Sequence, residues 1–191
     1  MRKVIYALTV SLDGFIEAAG GDLSWTNPTP DLFQHMVDRD RGFGLFLYGR
    51  RIYEIMSAAW PTMDEQPSAT KTDKEYAQIW REKPKIVFSK TLTQVSWNAQ
   101  LVRDNIAEEV NKLKEIPGGD MIVAGAGLAA SFMQLDLIDE YRLYLCPVIL
   151  GSGKPMFPAL HDKISLQLVE THQFSHGVVL LRYQHSNNPP L

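Results

Sequence analysis

The chain has 191 residues, of which 45% are hydrophobic and 21% charged, and its formal net charge at pH 7 is -3. These values are typical of one globular domain, and the slightly acidic balance argues against a nucleic-acid-binding or anionic-membrane-binding protein. We therefore expect a single domain over residues 1–185, followed by a flexible tail over residues 186–191.

Cys146 is the only cysteine, which excludes an intrachain disulfide and a multi-cysteine zinc site. The longest apolar run, residues 143–150, is much shorter than a membrane span and contains Pro147. His172 and His176 are four residues apart, but the glycine and β-branched residues that follow favour a hairpin over a helix, so we expect no metal site. The N-terminus shows no signal-peptide organisation. Together these features predict a cytoplasmic protein.

In chain order, the hydrophobic pattern predicts strands that alternate with helices. The predicted strands cover residues 3–10, 45–48, 85–88, 100–103, 121–124 and 142–150. The predicted helices cover residues 31–39, 50–58, 73–81 and 105–116, with one more after the glycines at 125 and 127. Residues 61–72 are predicted to form a mobile loop, and residues 166–183 two antiparallel strands. This order predicts an α/β fold with a mainly parallel central sheet, closed by a C-terminal antiparallel hairpin.

The most informative motif is the glycine turn after the predicted strand at residues 121–124. Gly125 and Gly127 would let the backbone approach a pyrophosphate, and Ala130 is the small residue that a dinucleotide fingerprint requires. The dipole of the following helix favours an anion at this turn. An ordinary strand-to-helix turn explains the same pattern. The turn also comes late in the chain and no carboxylate follows the next strand, so the rest of a nucleotide site would lie upstream.

Three predicted strands end in residues suited to binding phosphate. Gly49 is followed by Arg50 and Arg51, the third strand is followed by Ser89 and Lys90, and the glycine turn ends another. The carboxyl ends of parallel strands meet at one edge of a sheet, where ligands bind. The combination suits a ligand with a pyrophosphate and a further phosphate, so it favours NADPH over NADH. Solvated surface charges are the alternative for each basic residue.

Six motifs spread between Val4 and Tyr183 form a more specific pattern. They are Ser11-Leu12-Asp13-Gly14, Gly49-Arg50-Arg51-Ile52-Tyr53-Glu54, Phe88-Ser89-Lys90, Gly125-Ala126-Gly127, the segment from Pro147 to Phe157, and the closing segment from Gly177 to Tyr183. With these motifs the sequence resembles the dihydrofolate reductase-like superfamily. It resembles more closely the stand-alone relatives of the reductase domain of bifunctional riboflavin-biosynthesis enzymes. The resemblance implies a three-layer α/β fold. Because the chain lacks the cysteines of the zinc deaminase domain in those enzymes, it corresponds at most to their reductase half.

The resemblance implies an NADPH-dependent reductase that transfers a hydride to a small nitrogen heterocycle. The activity it implies most closely is that of 5-amino-6-(5-phosphoribosylamino)uracil reductase. The implied contacts are Arg50, Arg51, Ser89 and Lys90 for the adenosine-side phosphates, Gly125, Ala126, Gly127 and Leu128 for the pyrophosphate, and Ala7 and Ile16 for the nicotinamide. Folate reductases have a phosphate-binding threonine shortly after the Gly-Arg pair, and here Ile52 occupies that region.

Two carboxylates are the candidate catalytic residues. In the riboflavin reductases that the sequence resembles, the turn matched by Ser11 to Gly14 faces the pyrimidine substrate, which makes Asp13 a candidate. In folate reductases a carboxylate at the start of the first helix anchors the pterin ring, and Trp25 followed by Asp31 is similar to that pattern. A plain turn at Asp13 and a favourable helix-dipole position at Asp31 explain the same residues without a functional role.

Two other functions remain open. The first is dihydrofolate reductase, which requires Asp31 to face the pocket and a cationic group to meet the folate glutamate. The second is a nucleotide-binding module that keeps the fold without catalysis. For the reductase we expect a small-molecule pyrimidine or pterin substrate, no nucleic-acid or membrane partner, and a homodimer.

Overall fold

The computed structural model of the protein describes residues 1–160 and 162–186. In this part of the chain ten strands and five α-helices are formed. The strands are β1 (Val4–Ser11), β2 (Phe15–Ala18), β3 (Leu45–Gly49), β4 (Lys85–Phe88), β5 (Ala99–Val102), β6 (Met121–Ala124), β7 (Glu140–Cys146), β8 (Gly153–Pro155), β9 (Leu166–Gln173) and β10 (Val179–His185). The helices are α1 (Pro30–Gly42), α2 (Arg50–Ala59), α3 (Lys71–Glu82), α4 (Ile106–Glu115) and α5 (Ala126–Gln134). The predicted tail lies outside the described residues except for Ser186, whose amide donates to the Ser165 carbonyl (2.9 Å).

The central sheet has eight strands in the order β5-β4-β3-β6-β1-β7-β10-β9. The six strands from β5 to β7 are parallel, and β10 pairs antiparallel with both β7 and β9. The predicted α/β fold with a mainly parallel sheet and a closing antiparallel hairpin is therefore confirmed. The carboxyl ends of β3, β4 and β6 lie side by side, and this places the residues that follow them at one edge.

Helices cover both faces of the sheet, which gives three layers. On one face α4 and α5 bury Val110 and Phe132 against residues such as Val123. On the other face α1, α2 and α3 bury an aromatic-rich cluster that includes Tyr53 and Trp80. Central strands covered on both faces favour apolar residues, so β6 is a continuous apolar run and β4 is apolar at residues 86–88, after Lys85.

Several element boundaries differ from the predictions, and two of the differences have clear local reasons. The strand predicted over residues 142–150 ends at Cys146, because Pro147 has no amide to donate and the Val148 amide turns back to the Cys146 carbonyl (2.8 Å). The helix predicted to begin at Asp73 begins at Lys71, because Thr70 and Asp73 form a capping box. The loop predicted over residues 61–72 contains a short 3-10 turn at Met63–Glu65.

A short antiparallel pair, β2 with β8, was not predicted from the sequence. We call it the β2–β8 arm (Phe15–Ala18 and Gly153–Pro155). Glu17 and Lys154 are partners across the pair. Gly153 has a φ of 152°, and a Cβ there would collide with the Glu17 carbonyl oxygen. The two segments can approach this closely only because residue 153 has no side chain.

Candidate functional site: a cleft at the strand ends

A cleft of about 430 Å³ lies at the carboxyl ends of β3, β4 and β6. We call it the strand-end cleft. Its walls are the first turns of α2 and α5, the segments after β4 and β5, and the β2–β8 arm. The residues that line it are Ile16, Glu17, Leu23, Gly49, Arg50, Arg51, Ile52, Ile55, Phe88, Ser89, Lys90, Arg103, Ile106, Gly125, Ala126, Gly127, Leu128, Ser131 and Lys154. A cleft of this size is in the range of ligand-binding pockets.

The glycine turn forms the floor of the cleft, and its two glycines differ. Gly125 has a φ of 100°, and a Cβ there would lie 3.0 Å from the Ile52 side chain, so both conformation and space require glycine. A Cβ on Gly127 would meet no atom within 4 Å, so this position faces open space. The first amides of α5 have no intrahelical acceptor and no side-chain cap.

A second helix begins at the same place. Gly49 is the N-cap of α2, which also lacks a side-chain cap and an acidic residue in its first turn. A Cβ on Gly49 would lie 3.3 Å from the Cβ of Leu128, so α5 packs closely on the end of β3. Two uncapped helix N-termini therefore meet at the cleft, and both favour a bound anion.

Five cationic residues and one carboxylate line the strand-end cleft within the described residues. The cationic residues are Arg50, Arg51, Lys90, Arg103 and Lys154, and the carboxylate is that of Glu17. Arg50 pairs with Glu54 at 3.4 Å, and Lys90 with Asp104 at 3.6 Å. The other three cations have no ion-pair partner within the ranges 1–160 and 162–186. This excess of positive charge suits an anionic ligand.

Ser89 presents a fixed hydroxyl at the end of β4. Its side chain is buried, and its oxygen accepts hydrogen bonds from the amides of Thr91 (3.2 Å) and Leu92 (3.1 Å). The hydroxyl hydrogen can then be donated to the Thr91 hydroxyl, 3.5 Å away, or to a ligand in the cleft.

Ten of the eleven residues predicted to bind the cofactor line this cleft. They are Ile16, Gly49, Arg50, Arg51, Ser89, Lys90, Gly125, Ala126, Gly127 and Leu128. The exception is Ala7, which is half-buried in β1 and packs against the apolar clusters on the α1 side of the sheet. The predicted contact of Ala7 with a nicotinamide therefore gains no support from its position.

Asp13 does not line the cleft, and its predicted contact with a substrate stays a prediction. Its carboxylate accepts hydrogen bonds from the Ser11 hydroxyl (2.7 Å) and from the amides of Leu150 (3.1 Å) and Gly151 (2.7 Å). The Ser11 hydroxyl, followed by these amides, lowers the pKa of Asp13. The side chain therefore ties the turn before β2 to the loop before β8.

Asp31 also lies outside the cleft. It is exposed in the first turn of α1, and its carboxylate accepts a hydrogen bond from the Ser175 amide (2.9 Å), in the turn between β9 and β10. The nearby Thr29 hydroxyl and the Ser175 amide hold the pKa of Asp31 well below its usual range. Such a group stays ionised at neutral pH, so it is poorly suited to donate a proton.

Several residues of the cleft were missed by sequence reasoning. They are Glu17, Leu23, Ile55, Phe88, Arg103, Ile106, Ser131 and Lys154. Arg103 is the last residue of the strand predicted over residues 100–103, so the argument that identified Ser89 could have found it. Glu17 and Lys154 reach the cleft through the β2–β8 arm, for which the sequence gives no periodic signal.

Two features are absent from the described residues. No group of three or more His, Cys, Asp or Glu side chains there could hold a metal ion. No helix in those residues combines the length and the apolar character needed to cross a bilayer.

Comparison with solved structures identifies the class of fold. A Shewanella sp. PV-4 protein whose name assigns it to riboflavin biosynthesis is 21% identical, with a TM-score of 0.75 over 97% of this chain and 99% of that one. Dihydrofolate reductase from Enterococcus faecalis, solved with NADP(H), is 11% identical, with a TM-score of 0.65 over 97% of both chains. The fold is therefore dihydrofolate reductase-like, as the sequence predicted.

A third structure is a bifunctional deaminase and 5-amino-6-(5-phosphoribosylamino)uracil reductase from Thermotoga maritima. It is 15% identical, with a TM-score of 0.66 over 97% of this chain, but only 57% of that enzyme is covered.

Sequence comparison then identifies the family. Residues 2–180 match the family model described as the RibD C-terminal domain, and the chain belongs to this family. Two relatives are the uncharacterized proteins YyaP and YwjB of Bacillus subtilis (strain 168). YyaP is 40% identical over 187 residues, which cover 95% of this chain and 94% of YyaP. YwjB is 29% identical over 187 residues, which cover 94% of this chain and 96% of YwjB.

Proposed function

We propose that the protein is an NADPH-dependent reductase that transfers a hydride to a small nitrogen heterocycle. The closest named activity is that of 5-amino-6-(5-phosphoribosylamino)uracil reductase. The observation that carries the proposal is the strand-end cleft, in which two uncapped helix N-termini, an open glycine turn and five cations meet. A dinucleotide with a pyrophosphate and an additional phosphate matches this set of donors.

Each part of this cofactor would have its own contacts in the cleft. The amides from Gly125 to Leu128 would hold the pyrophosphate, because nothing occupies the space beside Gly127. Arg50, Arg51, Ser89 and Lys90 would face the adenosine-side phosphates, and the apolar side chains of Ile55 and Ile106 offer surfaces for the adenine ring. Ile16 and Leu23 would bound the nicotinamide. When bound, NADPH supplies the hydride, and the protein supplies orientation and exclusion of water.

The substrate side separates the two enzyme proposals. A folate reductase needs a carboxylate that meets the pterin ring, but the Asp31 carboxylate is bonded to the Ser175 amide outside the cleft. Glu17 is the carboxylate that lines the cleft in the described residues, and it is half-buried beside Ile16. This arrangement favours the pyrimidine reductase over the folate reductase. The single domain, the homodimer and the cytoplasmic location stay predictions.

A turnover assay that follows NADPH absorbance tests the proposal. The purified protein would be mixed with NADPH and with a ribosylaminopyrimidine, a dihydropterin or dihydrofolate. Oxidation of NADPH with the pyrimidine alone supports the proposal. Efficient turnover of dihydrofolate would instead favour the folate reductase. NADPH binding without oxidation by any of these compounds would favour the non-catalytic nucleotide-binding module.

A further inference from the structure

A second cavity, of about 470 Å³, lies at the opposite edge of the sheet from the strand-end cleft. It is formed where β3, β4 and β5 begin and where α4 ends, and we call it the strand-start cavity. Two cationic residues, Arg2 and Lys85, line it, and no carboxylate does so within the described residues. The cavity therefore has an excess of positive charge that the proposed reductase does not use.

The positive charge of Lys85 has no carboxylate partner in the part of the chain that the structure describes. Its side chain is buried, and its ammonium donates to the carbonyls of Trp80, Lys83 (2.7 Å) and Trp97 (2.9 Å) and lies 4.2 Å from the centre of the Trp80 ring. These carbonyls satisfy all three N–H groups but leave the charge in place. Burial, followed by the neighbouring charge of Lys83, lowers the pKa of Lys85 to about 8, so the group is still mostly charged at neutral pH. A charge buried in this way is costly, and an anion in the cavity would reduce the cost.

Arg2 has a guanidinium that is fixed beside two glycines. Its Nε donates to the Gly119 carbonyl (2.6 Å). A Cβ on Gly44 would lie 3.0 Å from Nη2 of Arg2, and a Cβ on Gly118 would lie 3.3 Å from its Cζ, so the guanidinium lies where side chains at 44 and 118 would be. Asp120 attracts the guanidinium but forms no ion pair with it. Neither Nη group has a partner in the described residues, which leaves four N–H donors for the two oxygens of a carboxylate.

Trp97 gives the cavity an exposed aromatic wall. Trp97 and Asn98 both have a left-handed backbone, with φ values of 60° and 55°, which is unusual for a bulky residue. The turn is held because Lys85 donates to both carbonyls, through Nζ to Trp97 (2.9 Å) and through its amide to Asn98 (2.9 Å). The Asn98 side chain also donates to the Glu82 carbonyl (2.8 Å). The fold thus maintains backbone strain at a point where an indole ring is left open to solvent, a combination that is typical of binding sites.

We propose that the strand-start cavity binds a small aromatic carboxylate, with its carboxylate on Arg2 and its ring against Trp97. The guanidinium supplies paired donors, and the buried charge of Lys85 adds attraction at longer range. The indole ring and the exposed side chain of Ile116, which also lines the cavity, would cover the ring of the ligand. This site is separate from the strand-end cleft, so the proposal does not depend on the proposed function.

Titration with 2-naphthoate at neutral pH tests the proposal, and 2-naphthamide is the uncharged probe of similar shape. The chain has four tryptophans, so the indole N–H signals in the NMR spectrum of isotope-labelled protein report where a probe binds. The signal that is missing in Trp97→Leu belongs to Trp97. We expect 2-naphthoate to shift this signal and to bind about tenfold or more tightly than the amide, because only the acid carries the charge that Arg2 meets.

Three variants separate the contributions of charge and ring. Arg2→Met should weaken binding of 2-naphthoate about tenfold or more and change binding of the amide less than about twofold. Trp97→Leu should weaken binding of both probes by a similar factor, about threefold or more, because both lose the indole contact. Arg51→Met is the matched control, because it removes an arginine without an ion pair from the strand-end cleft, and the affinity for 2-naphthoate should stay unchanged.

Equal affinity of the wild type for the acid and the amide would overturn the proposal, and this comparison requires no variant. An unmoved Trp97 signal during the titration with 2-naphthoate would overturn it too. So would an Arg51→Met protein that loses as much affinity as Arg2→Met, because the probe would then lie in the strand-end cleft. If 2-naphthoate binds at Trp97 and the protein binds no NADPH, the proposed function fails and the strand-start site stands.

Discussion

The Asp13 carboxylate joins two loops that are more than one hundred residues apart in the chain. It accepts a hydrogen bond from the Ser11 hydroxyl in one loop and hydrogen bonds from the Leu150 and Gly151 amides in the other. These loops lead into the two strands of the β2–β8 arm, which forms one wall of the strand-end cleft. We therefore expect Asp13 to position the arm, and through it one wall of the cleft.

Asp13→Asn should loosen this wall. An amide keeps the shape but offers one oxygen where the carboxylate uses two, so at least one of the three donors loses its partner. We expect NADPH to bind about three- to tenfold more weakly, which corresponds to part of one charge-assisted hydrogen bond. Limited proteolysis between residues 147 and 153 should become faster. Asp38→Asn, an exposed change on α1, is the control, and equal behaviour of the two variants would argue against the positioning role.

Tyr6 and Tyr141 bury hydroxyl groups that have no protein partner in the described residues. They are neighbours on β1 and β7, and burial raises the pKa of Tyr141 to about 12. A buried hydroxyl without a partner costs free energy that a phenylalanine would not cost.

Tyr6→Phe and Tyr141→Phe should therefore leave the free energy of unfolding unchanged or raise it by about 1 kcal/mol. Tyr53→Phe is the matched control, because the Tyr53 hydroxyl accepts from the Ser96 amide (2.8 Å) and donates to the Ser96 carbonyl (3.1 Å). It should lower the free energy of unfolding by about 1–2 kcal/mol. Urea unfolding measures the free energy of unfolding of all three variants. A decrease in Tyr6→Phe as large as the decrease in Tyr53→Phe would contradict the expectation.

At the scale of elements, the parallel strands and the helices between them were predictable because each has its own local signal. β6 is a short apolar run, β4 is apolar after Lys85, and Thr70 with Asp73 marks the start of α3. The β2–β8 arm was not predictable, because it depends on a pairing between Glu17 and Lys154 that no local pattern encodes.

The candidate site likewise contains residues that could be predicted from the sequence and residues that could not. Residues that follow strand ends, such as Arg50 and Ser89, could be placed in the cleft because the topology of a parallel sheet fixes the position of its strand ends. The roles of Asp13 and Asp31 could not be derived, because each binds a loop that comes much later in the chain. An exposed carboxylate turns toward whichever amides the fold brings near, and the sequence around it does not reveal them.

Substitutions at the two glycines at the start of α5 should have different effects on NADPH binding and on the stability of the fold. Gly127→Val should fold, because its side chain enters open space, yet it should abolish NADPH binding by filling the proposed pyrophosphate site. Gly125→Val should also destabilise the protein, because the φ of 100° and the contact with Ile52 exclude a branched side chain.

Gly42→Val is the control for Gly127→Val, since it also places valine in open space at a helical position, but far from the cleft. Thermal unfolding and NADPH titration distinguish the cases. If Gly127→Val binds NADPH as the wild type does, the pyrophosphate site lies elsewhere.

At the scale of the whole molecule, a buried carboxylate joins the parallel and antiparallel halves of the sheet. Glu140 on β7 is fully buried and accepts hydrogen bonds from Arg142 (2.7 Å), Arg182 (2.6 Å) and Gln184 (2.9 Å). Burial alone would raise the pKa of Glu140, but the hydrogen bonds led by Arg182 outweigh it, and the pKa is lowered.

Because the pKa of Glu140 is lowered in the folded state, we expect the free energy of unfolding to fall as the pH becomes acidic. A carboxyl with a lower pKa in the folded than in the unfolded state stabilises the fold above its unfolded pKa, about 4.3, and loses that contribution as the pH falls through the folded pKa. Glu140→Gln should lower the free energy of unfolding by about 3–5 kcal/mol at neutral pH, because two arginines lose a buried partner, and should flatten the acid dependence. Urea unfolding at several pH values tests both the loss of stability and the flatter acid dependence. Glu108→Gln, at an exposed position, is the control, and its free energy of unfolding should change little. An unaltered acid profile in Glu140→Gln would contradict this explanation.

The strand order also has a consequence for how the chain folds as it is synthesised. β1 is made first, yet its neighbours in the sheet are β6, which begins at Met121, and β7, which begins at Glu140. During translation β1 therefore lacks both partners until roughly two thirds of the chain has emerged. Contacts between residues so distant in sequence slow folding. We expect truncation before β7 to leave β1 unpaired along one edge, and such ribosome-bound intermediates to depend on chaperones more than the finished protein does.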